Sequence, residues 1–276
     1  MKRPGIITMA VLIILGMAGY AAAYDLVLVH GLTNKHQWSD SFLDKCLQTY
    51  GSGNVYAIYT DNSTNVWTRT INGRTMRYCG LNDYSSGDDS VATQAQLMRT
   101  KTQLLQQSHG LSTKFKIIAH SMGGLVSRRY IYNNPSTVAG LVTLGTPHQG
   151  SPLAYAGDWV DFFIGADAAV ENLKPSWVQG TFNVQYPCPG PMADSGKIYT
   201  IGGDGDGWDC WGWGGELQVG WDILTMIYWT DSDGAVPRDA DRIGGTTFIT
   251  RFWSYDHMEL VTKADVATKA LQYLTP

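Results

Sequence analysis

The stretch "KFKIIAHSMGGLVSRRYI", residues 114–131, predicts a buried strand that runs directly into a helix over Met122–Asn133. Ser121 stands at the joint between the two. A side chain at so sharp a turn forces a strained backbone, and its neighbours two positions away must be small, here Ala119 and Gly123. The stretch therefore predicts a nucleophile elbow with alanine in place of the first glycine of G-x-S-x-G. The plain alternative is an ordinary serine N-cap.

The rest of the chain alternates short apolar runs with helical patterns. Further strands are predicted at residues 24–31, 55–60, 138–147, 197–203 and 246–253, and helices at residues 90–107 and 258–273. This alternation predicts an α/β fold, a doubly wound and mostly parallel sheet with helices on both faces. In such a sheet the functional residues collect at the carboxyl ends of the strands.

Two segments lie outside this alternation. Residues 151–195 are long, irregular and aromatic-bearing, and they separate two predicted core strands, as expected of a cap or lid insertion. Residues 1–23 combine Lys2 and Arg3 with an apolar run and the small-residue pattern Ala21-x-Ala23, which predicts a signal peptide cleaved after Ala23 and a secreted protein. Residues 24–276 are expected to form one domain.

Composition narrows the classes of partner. The formal net charge is −4 and no basic face stands out, which argues against a nucleic-acid partner. The protein is expected to be a monomer. In an exported protein, four cysteines usually form bridges. Proximity along the chain favours Cys46 with Cys79 and Cys188 with Cys210, although three connectivities remain open.

A serine nucleophile requires a base, and only two histidines follow Ser121 in the chain. Enzymes with this turn place the acid between the serine and the histidine. His148 precedes every plausible acid and is expected to shape a loop by hydrogen bonding. His257, in "SYDHMEL" after the last predicted strand, has the right position for the base.

The acid is less sharply defined by the sequence. Asp233 in "DSDGAVP" precedes a tight turn that would leave its carboxylate facing the base, and it is favoured over Asp231. Asp204, Asp206 and Asp209 in "GGDGDGWD" also follow a predicted strand. Among these three, Asp204 is the main rival.

An oxyanion intermediate needs preorganised N–H donors. One is expected from Met122, directly after the nucleophile. The other is expected from Leu32 in "VHGLTN", where Gly31 lets the chain turn and His30 can brace the loop. The simpler interpretation of His30-Gly31 is a strand-ending turn.

Together, "LVHGL", "AHSMGG", "GTPHQGS", "DSDGAVP" and "DHMEL" resemble secreted bacterial-type lipases and esterases of the α/β-hydrolase superfamily. The resemblance implies a Ser121, Asp233 and His257 triad, an oxyanion hole from Leu32 and Met122, and hydrolysis of fatty esters such as triacylglycerols through an acyl-enzyme. It implies no required cofactor. Some relatives hold calcium near the histidine loop, and Glu259 with Asp206 or Asp209 would have to supply that site here.

Two further functions remain open. Five tryptophans crowd one glycine-rich segment and would suit adsorption to lipid or to a polymer, although a small secondary core around Cys210 is favoured; they are Trp208, Trp211, Trp213, Trp221 and Trp229. Adsorption would fit a depolymerase of an extracellular polyester such as polyhydroxyalkanoate. A secreted non-catalytic binding protein on the same scaffold is the alternative outside enzymes.

Overall fold

The computed structural model describes residues 24–33, 37–83, 86–155, 166–205 and 214–275, without the side chains of residues 214–216. Eight strands lie in these ranges: β1 Asp25–Val29, β2 Val55–Ile58, β3 Val66–Ile71, β4 Arg74–Cys79, β5 Phe115–His120, β6 Val138–Leu144, β7 Ile198–Gly203 and β8 Thr247–Phe252. They form one sheet in the order β3-β4-β2-β1-β5-β6-β7-β8. Only β3 runs antiparallel to its neighbour, so the predicted parallel sheet is present.

Helices cover both faces of this sheet. They include α1 Asp40–Tyr50, α2 Val91–Ser108, α3 Met122–Asn133, α4 Asp167–Glu171, α5 Gly214–Met226, α6 Glu259–Thr262 and α7 Ala264–Leu271. Helices α2 and α3 pack on one face, and α1, α6 and α7 pack on the other. Within the described ranges, no helix is both long and apolar enough to span a bilayer.

The strand pleat divides the core into two apolar layers. In β5, Phe115, Ile117 and Ala119 face the α2 and α3 layer, whereas Ile118 faces the α1 and α7 layer. Burial of β5 on both faces explains its almost uninterrupted apolar sequence.

One helix and one two-stranded hairpin near the first strands are missing from the sequence-based assignment. Helix α1 begins at Asp40 behind Ser39, whose hydroxyl accepts a hydrogen bond from the Phe42 amide. Strands β3 and β4 form a hairpin around Asn72-Gly73, both with positive φ. An Asn-Gly pair between alternating residues is a strong hairpin signal, so the sequence did contain the information.

The single final helix predicted over residues 258–273 is wrong, because the structure divides it into α6 and α7 at Lys263, which is extended. The Thr262 carbonyl at the end of α6 accepts hydrogen bonds from the hydroxyls of Ser39, at 2.6 Å, and Ser41, at 2.9 Å. These bonds tie the start of α1 to the end of α6.

The predicted bridge between Cys46 and Cys79 is also wrong, since both are buried free thiols. Cys46 lies on α1 in one apolar layer and Cys79 on β4 belongs to the other, so the sheet separates them. Cys188 is a free thiol, and Cys210, its expected partner, lies outside the described residues.

The predicted insertion contains short helical segments where it is described. A 3-10 turn at Pro152–Tyr155 and α4 are followed by Pro175–Trp177, the π-turn Val178–Phe182 and Asn183–Gln185. Residues 1–23, and with them the predicted signal peptide, lie outside the described residues.

Candidate active site

Ser121 occupies the turn between β5 and α3 with φ 52° and ψ −131°, a conformation that costs a non-glycine residue energy. Its amide donates to the Leu144 carbonyl at 2.8 Å, which continues the ladder between β5 and β6. A Cβ on Gly123 would collide with the His30 carbonyl oxygen, so the start of α3 approaches β1 only because this position is glycine. The strained turn predicted from the sequence is therefore present at Ser121.

His257 and Asp233 meet side by side, both buried. The distance from His257 Nδ1 to Asp233 Oδ2 is 2.8 Å. The other carboxylate oxygen, Oδ1, accepts hydrogen bonds from the amides of Ala235, at 3.0 Å, and Val236, at 2.8 Å. These bonds fix the carboxylate in the tight turn. In the neutral tautomer that donates from Nδ1–H to Asp233, Nε2 of His257 carries no proton and can accept one.

The rival acids have other partners. Asp204 Oδ2 lies 3.3 Å from the Arg238 guanidinium, and Asp231 Oδ2 lies 2.6 Å from the same group. Both carboxylates are therefore committed to Arg238. Asp206 and Asp209 lie outside the described residues.

The loop after β1 passes directly beside Ser121. A Cβ on Gly31 would lie 2.7 Å from the Ser121 Cβ, and the Gly31 amide donates to Gln37 Oε1 at 2.9 Å. Leu32 follows in this loop, partly buried against the core, and Met122 is the buried first residue of α3. Met122 thus follows Ser121 in the chain, and Leu32 follows Gly31, the residue that lies beside Ser121 in space.

His30 braces this loop from behind. Its Nε2 accepts a hydrogen bond from the Thr60 amide at 2.9 Å, so Nδ1 carries the proton and donates to the Gly31 carbonyl at 2.6 Å. Burial lowers the pKa of His30 to about 4. The imidazole is therefore neutral at pH 7 and acts as a fixed strut.

His148 shapes a loop, as predicted. It is fully buried, with Nε2 3.0 Å from the Thr143 hydroxyl and Nδ1 3.2 Å from the Arg128 guanidinium. Burial, and next the charge of Arg128, hold the pKa of His148 well below its usual value. Arg128 in turn donates to Asn183 Oδ1 at 3.0 Å and to the Tyr186 carbonyl at 2.6 Å, which anchors the inserted segment on α3.

One residue of the site, His120, is absent from the sequence-based prediction. Its Nε2 lies 2.9 Å from the His257 carbonyl oxygen, and the two imidazole centroids are 4.5 Å apart. Burial, and next the neighbouring His257, hold the pKa of His120 well below its usual value. The strand alternation in "FKIIAH" was the available signal, because it places His120 on the same face as Ile118 and the helix layer that His257 precedes.

The carboxylate suggested for calcium is engaged in capping a helix. Asp256 Oδ1 accepts from the Glu259 amide at 2.8 Å, and Glu259 Oε2 accepts from the Asp256 amide at 3.1 Å, a reciprocal capping box. Glu259 Oε1 also lies 2.7 Å from Lys263 Nζ. Among the residues described by the structure, no group of three histidine, cysteine or acidic side chains is placed to hold a metal ion.

Sequence comparison finds two kinds of match. The model of the PGAP1-like alpha/beta domain matches residues 88–184. Triacylglycerol lipases of Pseudarthrobacter phenanthrenivorans and Burkholderia plantarii are each 32% identical over 136 residues, or 49% of this chain. The match covers 37% and 33% of these relatives, about a third of their length.

Solved structures show the same fold over nearly the whole chain. The mature lipase BlEst2 of Bacillus licheniformis superposes with a TM-score of 0.64 at 23% identity, covering 91% of each chain. The metagenomic carboxyl esterase MGS0156 gives a TM-score of 0.55 at 16% identity, covering 92% of this chain and 74% of that one. The fold is that of the α/β-hydrolases. The chain resembles lipases and esterases of this superfamily, which confirms the fold class and the resemblance predicted from the sequence.

Proposed function

We propose that the chain is a serine hydrolase of carboxylic esters in which Ser121 is the nucleophile, His257 the base and Asp233 the orienting acid. The observation that carries the proposal is the buried pair of His257 Nδ1 and Asp233 Oδ2 at 2.8 Å, at the sheet edge that also holds the strained turn of Ser121. The relatives named as triacylglycerol lipases support the same reaction class.

The chemistry follows from the assigned protonation states. His257 takes the Ser121 proton at Nε2 as the hydroxyl attacks the ester carbonyl, and Asp233 stabilises the resulting imidazolium. The amides of Leu32 and Met122 donate to the oxyanion. His257 then returns the proton to the leaving alcohol, and water hydrolyses the acyl-enzyme by the same route in reverse. This sequence of steps uses no cofactor.

We propose fatty esters, including triacylglycerols, as the substrate class. Apolar side chains at the end of α5 support it, because Met226 is 68% exposed, Ile227 64% and Trp229 88%. The expectation that the tryptophans fill a secondary core is thus wrong for Trp229, whereas Trp208, Trp211 and Trp213 lie outside the described residues. Such side chains favour contact with an apolar surface. In this proposal the protein is secreted and monomeric, and the described parts of residues 151–195 cover the cleft.

Covalent labelling tests the assignment of the nucleophile. A fluorophosphonate probe is expected to label the wild type and to leave Ser121→Ala unlabelled, because only an activated serine reacts. Ser127→Ala is the matched control, since Ser127 is buried in α3, the helix that follows Ser121, and its hydroxyl has no hydrogen-bond partner within the described part of the chain. An unlabelled wild type, or labelling that persists in Ser121→Ala, would contradict the proposal.

Substrate class is tested by hydrolysis of p-nitrophenyl esters from acetate to palmitate. If fatty esters are the substrates, long acyl chains are expected to be hydrolysed faster than short ones. Such a preference would indicate an extended apolar cleft that binds the chain. Activity on emulsified triolein but not on polyhydroxyalkanoate film would support fatty esters over a polyester. The reverse result would assign the exposed apolar side chains to a polymer surface.

A further inference from the structure

We propose that His120 is a positioning residue that fixes the His257 backbone relative to Ser121 and so sets the approach of base to nucleophile. The inference rests on the proposed function. His120 is the last residue of β5 and is peptide-bonded to Ser121. Its side chain reaches a second element of the site, the loop that carries His257 into α6.

The topology explains why this contact forms. Along β5, Ile118 points into the layer of α1, α6 and α7, and the strand period of two sends His120 into the same layer. The loop that carries His257 enters that layer from β8, the far edge of the sheet. The imidazole of His120 is 1% exposed and meets this loop inside the protein, where water does not replace a lost hydrogen bond.

The tautomer of His120 follows from its partner. The His257 carbonyl oxygen only accepts, so His120 Nε2 carries the proton and donates it over 2.9 Å. His120 Nδ1 is then unprotonated, and it has no hydrogen-bond partner in the part of the chain that the structure describes. It faces the backbone of Gly31, where an added Cβ would lie 3.2 Å away. The ring therefore touches the loop beside Ser121 on one side and the base on the other.

In this arrangement the hydrogen bond from His120 helps to set the distance between His257 and the strand that precedes Ser121. The bond holds the main chain of His257, while Asp233 holds its ring through Nδ1 and its amide through a 2.8 Å bond to the Asp233 carbonyl. Two of these three hydrogen bonds come from the acid turn, and the third, from His120, ties the base to β5, the strand that precedes the nucleophile. Without it, the loop that carries His257 keeps its hydrogen bonds to Asp233 but loses its hydrogen bond to β5.

Substitution by side chains of different reach tests this role. His120→Leu keeps bulk but removes the donor, and we expect kcat to fall about 10- to 100-fold with KM within about twofold, because small misplacements of reacting groups have effects of this size. In His120→Gln the amide nitrogen reaches the former position of Nε2, and most of kcat should return. In His120→Asn the shorter amide reaches only the position of Nδ1, and kcat should stay low.

The pair His120→Gln and His120→Asn decides the outcome if His120→Leu fails to fold. A purely structural role would change thermal stability but would not separate these two amides in kcat at equal KM. Wild-type kcat in His120→Leu, or equal kcat in His120→Gln and His120→Asn, would overturn the inference. An inactive and unlabelled wild type would instead overturn the proposed function, so the two failures are distinguishable.

Discussion

Two buried ion pairs lie behind opposite sides of the candidate site, and they are organised in opposite ways. On the side of the loop after β1, Lys101 Nζ lies 3.3 Å from Asp61 Oδ1. On the side of the acid turn, Arg251 lies 3.0 Å from Asp241 Oδ2. All four side chains are at most 5% exposed, so each charge depends on its protein partners.

In the first pair the carboxylate makes most of the additional hydrogen bonds, and we call such a partner the centre of the pair. Asp61 accepts hydrogen bonds from the amides of Ser63, at 2.5 Å, and Leu81, at 2.8 Å, and from the Ser86 hydroxyl at 3.1 Å. Lys101 supplies the compensating charge and makes one further bond, to the Tyr59 carbonyl at 2.5 Å, against three for Asp61. Asp61 therefore holds together the chain segments that cover the loop after β1.

In the second pair the cation is the centre. Arg251 donates to the Gly203 carbonyl at 3.1 Å, to the Arg238 carbonyl, and to Asp241 Oδ1 at 3.1 Å. The planar guanidinium spans several acceptors, which a lysine cannot do with the same geometry. Arg251 therefore joins β7, β8 and the chain after the acid turn. From this comparison we expect that, in a buried ion pair, the partner that makes more additional hydrogen bonds contributes more to stability.

The largest expected effect is on kcat, and it distinguishes the catalytic carboxylate in the acid turn from a neighbouring carboxylate that only pairs with an arginine. Asp233→Asn is expected to lower kcat by about 10⁴-fold, because an amide no longer holds the tautomer and charge of His257, as the serine protease precedent indicates. Steady-state kinetics on a p-nitrophenyl ester measure the loss. Asp204→Asn is the matched control, since its carboxylate pairs with Arg238, and we expect it to retain wild-type kcat within a few-fold. Equal losses in the two variants would refute the assignment of the acid.

The next effect tests the comparison of the ion pairs directly. Arg251→Met removes a centre and should lower the free energy of unfolding by about 3–5 kcal/mol, the range for breaking a buried pair. Asp241→Asn removes the partner that makes fewer bonds, so it should lower the free energy of unfolding less. Burial also raises the pKa of Asp241 to about 7, so its ionised form is already disfavoured. On the other side the order is reversed, and Asp61→Asn should cost more than Lys101→Met. Urea denaturation measures all four; the same order of cation and carboxylate on both sides would contradict the comparison.

A smaller effect is expected at low pH, where His30, behind the loop after β1, should make the protein less stable. The folded pKa of His30 is about 4, below the ordinary 6.5, so its contribution to stability is complete above pH 6.5 and is lost as the pH falls toward 4. The loss amounts to about 3 kcal/mol. His30→Asn should reduce the slope of unfolding free energy against pH in this window. An unchanged slope in the variant would show that His30 does not titrate on unfolding.

The sequence was sufficient where a local pattern determines a local structure. The apolar run, small residues and helix pattern around Ser121 predict a strained turn because strand, turn and helix are adjacent in the chain. The helix boundaries of α3 follow for the same reason. The Asp-Gly turn at Asp233 follows from its turn residues, whereas the sequence leaves Asp204 as a rival acid, and the partner of that carboxylate, Arg238, is distant in the chain.

The errors concern relations between distant segments. Nothing near Lys263 signals a helix break, because the carbonyl that ends α6 is bonded by serines more than two hundred residues earlier. The faces occupied by Cys46 and Cys79 depend on which layer each element joins. The contact between His120 and His257 depends on how the chain returns from β8, which strand periodicity alone does not define.

The hydroxyls that bind the Thr262 carbonyl have a mechanical consequence. From Ser39 the path crosses to Thr262, follows α6 back to His257, and crosses again through His120 to Ser121. The main chain between Ser39 and Ser121 closes this path into a ring, which is held by hydrogen bonds at two places, Thr262 and His120. Loss of the hydrogen bonds at either place allows the whole ring to move more freely. Amide exchange in α6 should therefore accelerate when the hydrogen bond from His120 is removed by substitution.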